Sequence, residues 1–318
     1  MRTLLLFFLL FTFQFSFSSG YKKVDSIVKN YPKKFKSIDS FAERIESDFS
    51  TDIEKTRAAY FWIANNISYD YYSLNNNINH YKDLDYKLGI DYDKQLEDFQ
   101  YKYATKCLND KKAVCEGYSL LLKFTLTNLN VECNVISGHG KTTMKDIGKV
   151  VFDSNHAWNA VNIDGKWHLI DATWSTGNKE SKPGEFKFSD EYFFAKPEHF
   201  ILNHYPKEIK WQLLEKTVTK NVFFRAPLFY KSYFNSKLKL TKMNGTLISK
   251  DKIRITFDNI DETGVYTYWF KKFSNYSKPI SFQKINGKYH LVMPFIKGFK
   301  DELIIFKNGK ACLAFKII

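Results

Sequence analysis

The dipeptide Asp164-Gly165 sits between two runs of strand-forming residues, 156–163 and 166–171. A two-residue Asp-Gly connection is the strongest short-range signal for a β-hairpin with a type I′ turn, and such a turn fixes the register of both strands. Ile163 then faces Lys166, and the same ladder sets Asp171 opposite Trp158 and diagonal to His156, with all three side chains on one face. Diagonal neighbours stand about 7–8 Å apart, within reach of a carboxylate and an imidazole leaning together. The hairpin alone therefore brings a base beside a group able to orient it.

A nucleophile precedes them. Residues 114–129 carry Leu120, Leu121, Leu122, Phe124, Leu126 and Leu129, which surround a helix rather than stripe it and so predict a buried element. Cys115 falls in its first turn, where open backbone amides and the positive end of the dipole favour a thiolate, and Lys111 and Lys112 add to that field. Gly117 permits a close approach by another backbone or a substrate. Singly, each residue has an ordinary reading: a small buried hydrophobe, a packing histidine, a strand-end cap. In combination, a cysteine, a histidine and a carboxylate in this order suit nucleophile, base and orienting partner in amide chemistry.

The four cysteines, Cys107, Cys115, Cys133 and Cys312, form no CxxC pair, so neither a disulfide scaffold nor a zinc site is expected. With Cys115 free, at most one bridge can form among the other three. No metal and no cofactor are called for. Residues 1–20 read as a signal peptide, with Arg2 ahead of an apolar run from Leu4 to Phe17 and small residues at 16–20. The expectation is a secreted or periplasmic protein with no stable membrane insertion after cleavage. A formal charge of +14 is spread along the chain among 18% aromatic residues, without a compact nucleic-acid motif. That excludes a dedicated nucleic-acid binder and leaves a weak attraction to anionic cell-envelope polymers.

Residues 24–66 read as helical, with Ser40 as an N-cap, Glu43 as its capping-box partner, and a well-buried helix over 52–66. Residues 71–103 show no clean period and are expected to form a long loop with short helices beside the site. Phe200 and Trp211 are placed as packing against the core, and His199 and His204 as surface or packing residues. From about residue 213, alternating segments such as 252–257, 265–270, 289–294 and 302–307, with turns at Asn244-Gly245, Asn286-Gly287 and Asn308-Gly309, predict an antiparallel sandwich. The expected organisation is a leader (1–20), a cysteine-catalytic domain (21–210) and a β-rich, Ig-like accessory domain (211–318).

The segments Val114-Cys115-Glu116-Gly117-Tyr118, Asn155-His156-Ala157-Trp158-Asn159 and Trp167-His168-Leu169-Ile170-Asp171-Ala172-Thr173-Trp174 resemble the transglutaminase-like superfamily, most closely its kyphoscoliosis-peptidase-like branch. Residues 61–70, ending in Tyr69-Asp70, are similar to that family's helix leading to a Tyr-Asp pair. The resemblance covers about residues 50–180. It implies an α+β, papain-like core with helices packed on an antiparallel sheet, and Cys115, His156 and Asp171 as nucleophile, base and partner. No acidic cluster suggests the calcium of the animal transglutaminases.

The activity expected is attack on a protein or peptide amide through a thioester on Cys115, with hydrolysis favoured over crosslinking. Oxyanion candidates are the Cys115 amide and the region of Trp62 or Tyr69. Glu116 and Trp158 are candidates for substrate contact. The rival reading is a non-catalytic binding or scaffold protein that keeps the fold.

Overall fold

The computed structural model describes residues 17–318 except 79, 81–86, 88, 90, 177–187, 235 and 273. Most of the leader-like run lies outside these. In chain order the first unit contains α1 (Phe17–Val28), α2 (Ile38–Asp48), α3 (Asp52–Asn66), β1 (Ser68–Tyr69), α4 (Tyr71–Asn75), α5 (Tyr92–Asp110), β2 (Lys112–Ala113), α6 (Cys115–Asn128), β3 (Cys133–Gly140), β4 (His156–Ile163), β5 (Lys166–Ile170), α7 (Ala172–Ser175), β6 (Phe193–Ala195), α8 (Pro197–Phe200) and β7 (His204–Pro206).

The predicted hairpin forms in its predicted register. Asp164 and Gly165 both take positive φ, 51° and 77°, as a type I′ turn requires, and Ile163 pairs with Lys166, Val161 with His168 and Asn159 with Ile170. The hairpin is the centre of a five-stranded antiparallel sheet ordered β6-β5-β4-β3-β7. Side chains alternate across it. Val161, Ile163 and Ile170 join the helices in the main core, while Ile136, Trp158, Ala160 and Leu169 join Phe200 on the other face, with Trp211 packed against them.

Two local expectations are corrected. The N-cap of α2 is Ser37, with Ser40 as its reciprocal partner at the third helical position, so the helix begins before Ser40 rather than after it. Hydroxyls at both ends of the box satisfy the same orphan amides, and Ile38, Phe41 and Ile45 then share the buried face. Residues 92–103 are not loop but the first part of α5, capped by Asp91, in which Tyr103, Ala104, Cys107 and Leu108 are buried. Gly117 gives α5 its close seat. A Cβ there would meet Cys107 Sγ at 2.6 Å, so the small residue admits a neighbouring helix, not a substrate.

Arg57 ties the N-terminal helix to this core. Fully buried in α3, it donates two 2.7 Å hydrogen bonds to Asp25 of α1 and pairs with Asp190 at 2.6 Å, under the rings of Tyr21 and Phe193.

The remaining elements are α9 (Lys220–Arg225), β8 (Leu228–Phe229), α10 (Lys231–Phe234), β9 (Lys239–Leu240), β10 (Thr246–Leu247), β11 (Lys252–Asn259), β12 (Tyr266–Phe270), β13 (Lys278–Pro279), β14 (Gln283–Ile285), β15 (Lys288–Pro294), β16 (Asp301–Lys307) and β17 (Lys310–Ile317). The strands form two sheets, β14-β15-β11-β9 and β10-β17-β16-β12-β13 with β8 also on β17, closed over a shared apolar core. Asn286-Gly287 and Asn308-Gly309 make hairpin turns with positive φ at both residues. Asn244-Gly245 does not; it leads into β10, which runs parallel to β17.

Replacing Arg57 by alanine strands the Asp25 carboxylate and removes a buried guanidinium. The variant is expected to unfold with about 3 kcal/mol less stability in urea at neutral pH.

Candidate active site

Val114 caps α6 without a side-chain hydrogen bond, so the first-turn amides beside Cys115 are left open to another group. Pairing of β1 with β2 sets Tyr69 next to Ala113, two residues before the cysteine, and the Tyr118 hydroxyl donates to the Ile67 carbonyl at 2.6 Å. Burial and the neighbouring Cys115 thiol hold the proton of the Tyr69 hydroxyl on firmly. On the sheet side, the Asn159 amide donates to the Ser119 carbonyl at 3.0 Å and pins β4 to α6 one turn beyond Cys115.

His156 Nε2 lies 2.7 Å from Asp171 Oδ2, the juxtaposition the hairpin predicts. Burial lowers the proton affinity of His156, but the Asp171 charge and hydrogen bond, joined by the hydrogen bond and charge of Cys115, outweigh it and push the ring up to about 10. Asp171 is driven the other way. Burial alone would raise it, yet His156 and His204 hold its carboxyl well below the usual range. Its Oδ1 accepts from the Trp174 amide at 3.0 Å and so caps α7, while its own backbone N–H donates to the Tyr192 carbonyl at 2.9 Å. The residue that pairs with His156 and the helix cap are the same.

The structure adds a group that the sequence reads as a surface or packing residue. His204 on β7 is fully buried, and its Nε2 lies 2.9 Å from the same Asp171 Oδ2. His156 pairs with Gly138 and His204 with Gly140 on opposite sides of β3, and a Cβ on Gly140 would stand 3.1 Å from the His156 ring. These glycines let the two imidazoles approach across the strand. No local pattern marks His204, since it lies 33 residues after Asp171 on a three-residue strand.

Two other candidates are misplaced by the sequence. Trp62 is buried against Phe35 and Phe41, its indole N–H spent on the Pro32 carbonyl at 3.0 Å, so it is no oxyanion donor. Trp158 is buried between His156 and Phe200, a floor beneath the histidines rather than a substrate contact. Glu116 sits in the first turn of α6, partly exposed, and its charge acts on Tyr103 of α5. Tyr69, His156, Asn155, Tyr71 and Trp174 line an open cleft of about 640 Å³.

By type, His156, Asp171 and His204 are possible metal ligands, and their donor atoms lie within 4.8 Å of one another. Their spacing is that of hydrogen bonds. A tetrahedral zinc with bonds of about 2.0–2.2 Å would hold its ligand atoms about 3.3–3.6 Å apart, wider than the 2.7 and 2.9 Å found here. All four cysteines are free, and burial pushes Cys107 and Cys133 up to about 12.

The family model of the transglutaminase-like superfamily matches residues 39–172. Kyphoscoliosis peptidase of Homo sapiens is 28% identical over 220 residues, covering 68% of this chain and 30% of that protein. The Mus musculus protein of the same name is 30% identical over 190 residues, covering 59% and 26%. Hillarin of Drosophila melanogaster is 23% identical over 283 residues, covering 83% and 31%. The chain thus spans less than a third of the length of these relatives.

The His156 ring binds its proton more tightly folded than unfolded, where its affinity is near 6.5. The stabilisation from its pairing is therefore complete below that pH and fades as pH rises toward about 10. Urea unfolding should show a larger stability gap between wild type and His156→Ala at about pH 6 than at about pH 10.

Proposed function

Because this chain carries a transglutaminase-like domain over residues 39–172, related to the kyphoscoliosis peptidases, we propose that it is a cysteine hydrolase or acyltransferase acting on protein or peptide amides. The observation that carries this reading is the buried 2.7 Å His156–Asp171 pair beside the uncapped helix start that bears Cys115.

In the proposed reaction the Cys115 proton rests on His156, and the thiolate adds to the amide carbonyl carbon. The carbonyl oxygen takes up negative charge and accepts hydrogen bonds from the Cys115 backbone N–H and the Tyr69 hydroxyl. The C–N bond breaks as His156 gives its proton to the departing amine, leaving a thioester on Cys115. Water, losing a proton to His156, then attacks the thioester, releasing a carboxylic acid and the thiol. An amine in place of water would give transfer.

Hydrolysis is favoured because water needs no subsite of its own. The described residues lining the cleft include no carboxylate to hold an incoming ammonium. We also propose export, on the strength of the leader-like run at residues 1–20.

Alkylation by iodoacetamide, followed by intact mass and peptide mapping, tests the reading. Cys115 is expected to react well below pH 8, and His156→Ala to slow it about tenfold or more near pH 6. Cys115→Ala should remove the modified site. Slow alkylation indifferent to His156→Ala would hand the chain to the scaffold reading.

A further inference from the structure

His204 is fully buried, yet it is not merely filling space. Phe200 stacks on its ring at 4.0 Å, Trp174 lies at 4.1 Å and Trp158 at 5.2 Å, a set of neighbours that a phenylalanine would satisfy equally well. An imidazole buried there costs free energy unless its polar atoms find partners. The Nε2 finds Asp171 Oδ2 at 2.9 Å, on the oxygen already engaged by His156.

The titratable groups facing His204 are Asp171, His156 and the Tyr192 phenol. Burial lowers its proton affinity and the nearby His156 lowers it further, while Asp171 pulls the other way; the balance leaves the ring at about 4. It is therefore neutral near pH 7. An ionised carboxylate only accepts, so the ring must carry its hydrogen on Nε2. Two histidines thus share one carboxylate oxygen in different charge states, one as a cation and one as a neutral donor.

We propose that His204 is a positioning residue for the reaction described above. As a neutral Nε2–H donor it locks Asp171 Oδ2 against rotation while the Trp174 amide holds Oδ1, so that the carboxylate meets His156 Nε2 squarely and sustains the Cys115 thiolate. This rests on the proposed cysteine chemistry. It also extends the site past residue 172, where the family match ends.

The test is the pH profile of Cys115 alkylation in the full chain, with His204→Phe, His204→Gln and His156→Ala beside wild type and thermal melting of each. His204→Phe keeps the ring and removes the donor; His204→Gln keeps a donor near the Nε2 position. We expect His204→Phe to move the midpoint up by about one pH unit, about tenfold slower alkylation near pH 6, and His204→Gln to restore most of the loss. A wild-type profile in His204→Phe, with His156→Ala still shifted, would overturn the role of His204 and leave the cysteine chemistry standing. Equal shifts in the Phe and Gln variants would overturn the donor role. An ordinary thiol profile in wild type, unmoved by His156→Ala, would overturn both readings together.

Should His204→Phe fail to fold, long-range proton–nitrogen NMR of the wild-type histidine rings decides. A neutral Nε2–H tautomer at His204 between about pH 5 and 8 is expected, and a protonated or Nδ1–H ring overturns the inference.

Discussion

A single buried carboxylate organises the heart of this molecule. Asp171 is 1% exposed and ionised, and burying an isolated charge costs many kcal/mol unless every lone pair is met. Here they are met from different parts of the chain: His156 of β4, His204 of β7 and the Trp174 amide of α7, with its own N–H closed onto Tyr192 ahead of β6. None of the three donor segments can drift without leaving part of the charge unsolvated. The sheet order and the loop path from residue 188 to 206 are therefore bound to one side chain that also serves the candidate chemistry.

What could be read in the sequence was what is determined locally. The hairpin register follows from two turn residues and the place of Cys115 from one helix start; both occur as read. The side chains that depend on distant packing were not legible. Trp62 and Trp158 lie close in sequence to catalytic candidates, yet their indoles are claimed by Pro32 and Phe35 in one case and by Phe200 in the other. His204 owes its role to the β3–β7 pairing, a contact between segments more than sixty residues apart, and no periodicity over three residues can announce it. Helix α5 was missed for a related reason. Its tyrosines and charged residues blur the apolar stripe, and its buried face is clear only against α6.

The second unit is attached through an unusual group. Lys141, just past β3, is 1% exposed and donates from Nζ to the carbonyls of Phe223 at 2.9 Å and Ala226 at 3.1 Å. Burial pushes its amine down to about 7. A second seam is apolar, where Ile147 packs with Leu228 and Ala314. The strand that carries Gly138 and Gly140 thus continues directly into contacts with the segment entering the sandwich, and the geometry around the two histidines is braced from that side.

Both edges of the central sheet, β6 and β7, come from residues 193–206, whereas the family match ends at 172. A fragment cut where the family model ends would keep β3, β4 and β5 but strip each flank of its neighbour, freeing the backbone that β7 pairs at Gly138–Gly140 and β6 at Leu169–Ile170. Open edges of that kind recruit other chains. For this protein the smallest separable piece is set by where the flanking strands end, downstream of the last residue that the family model matches.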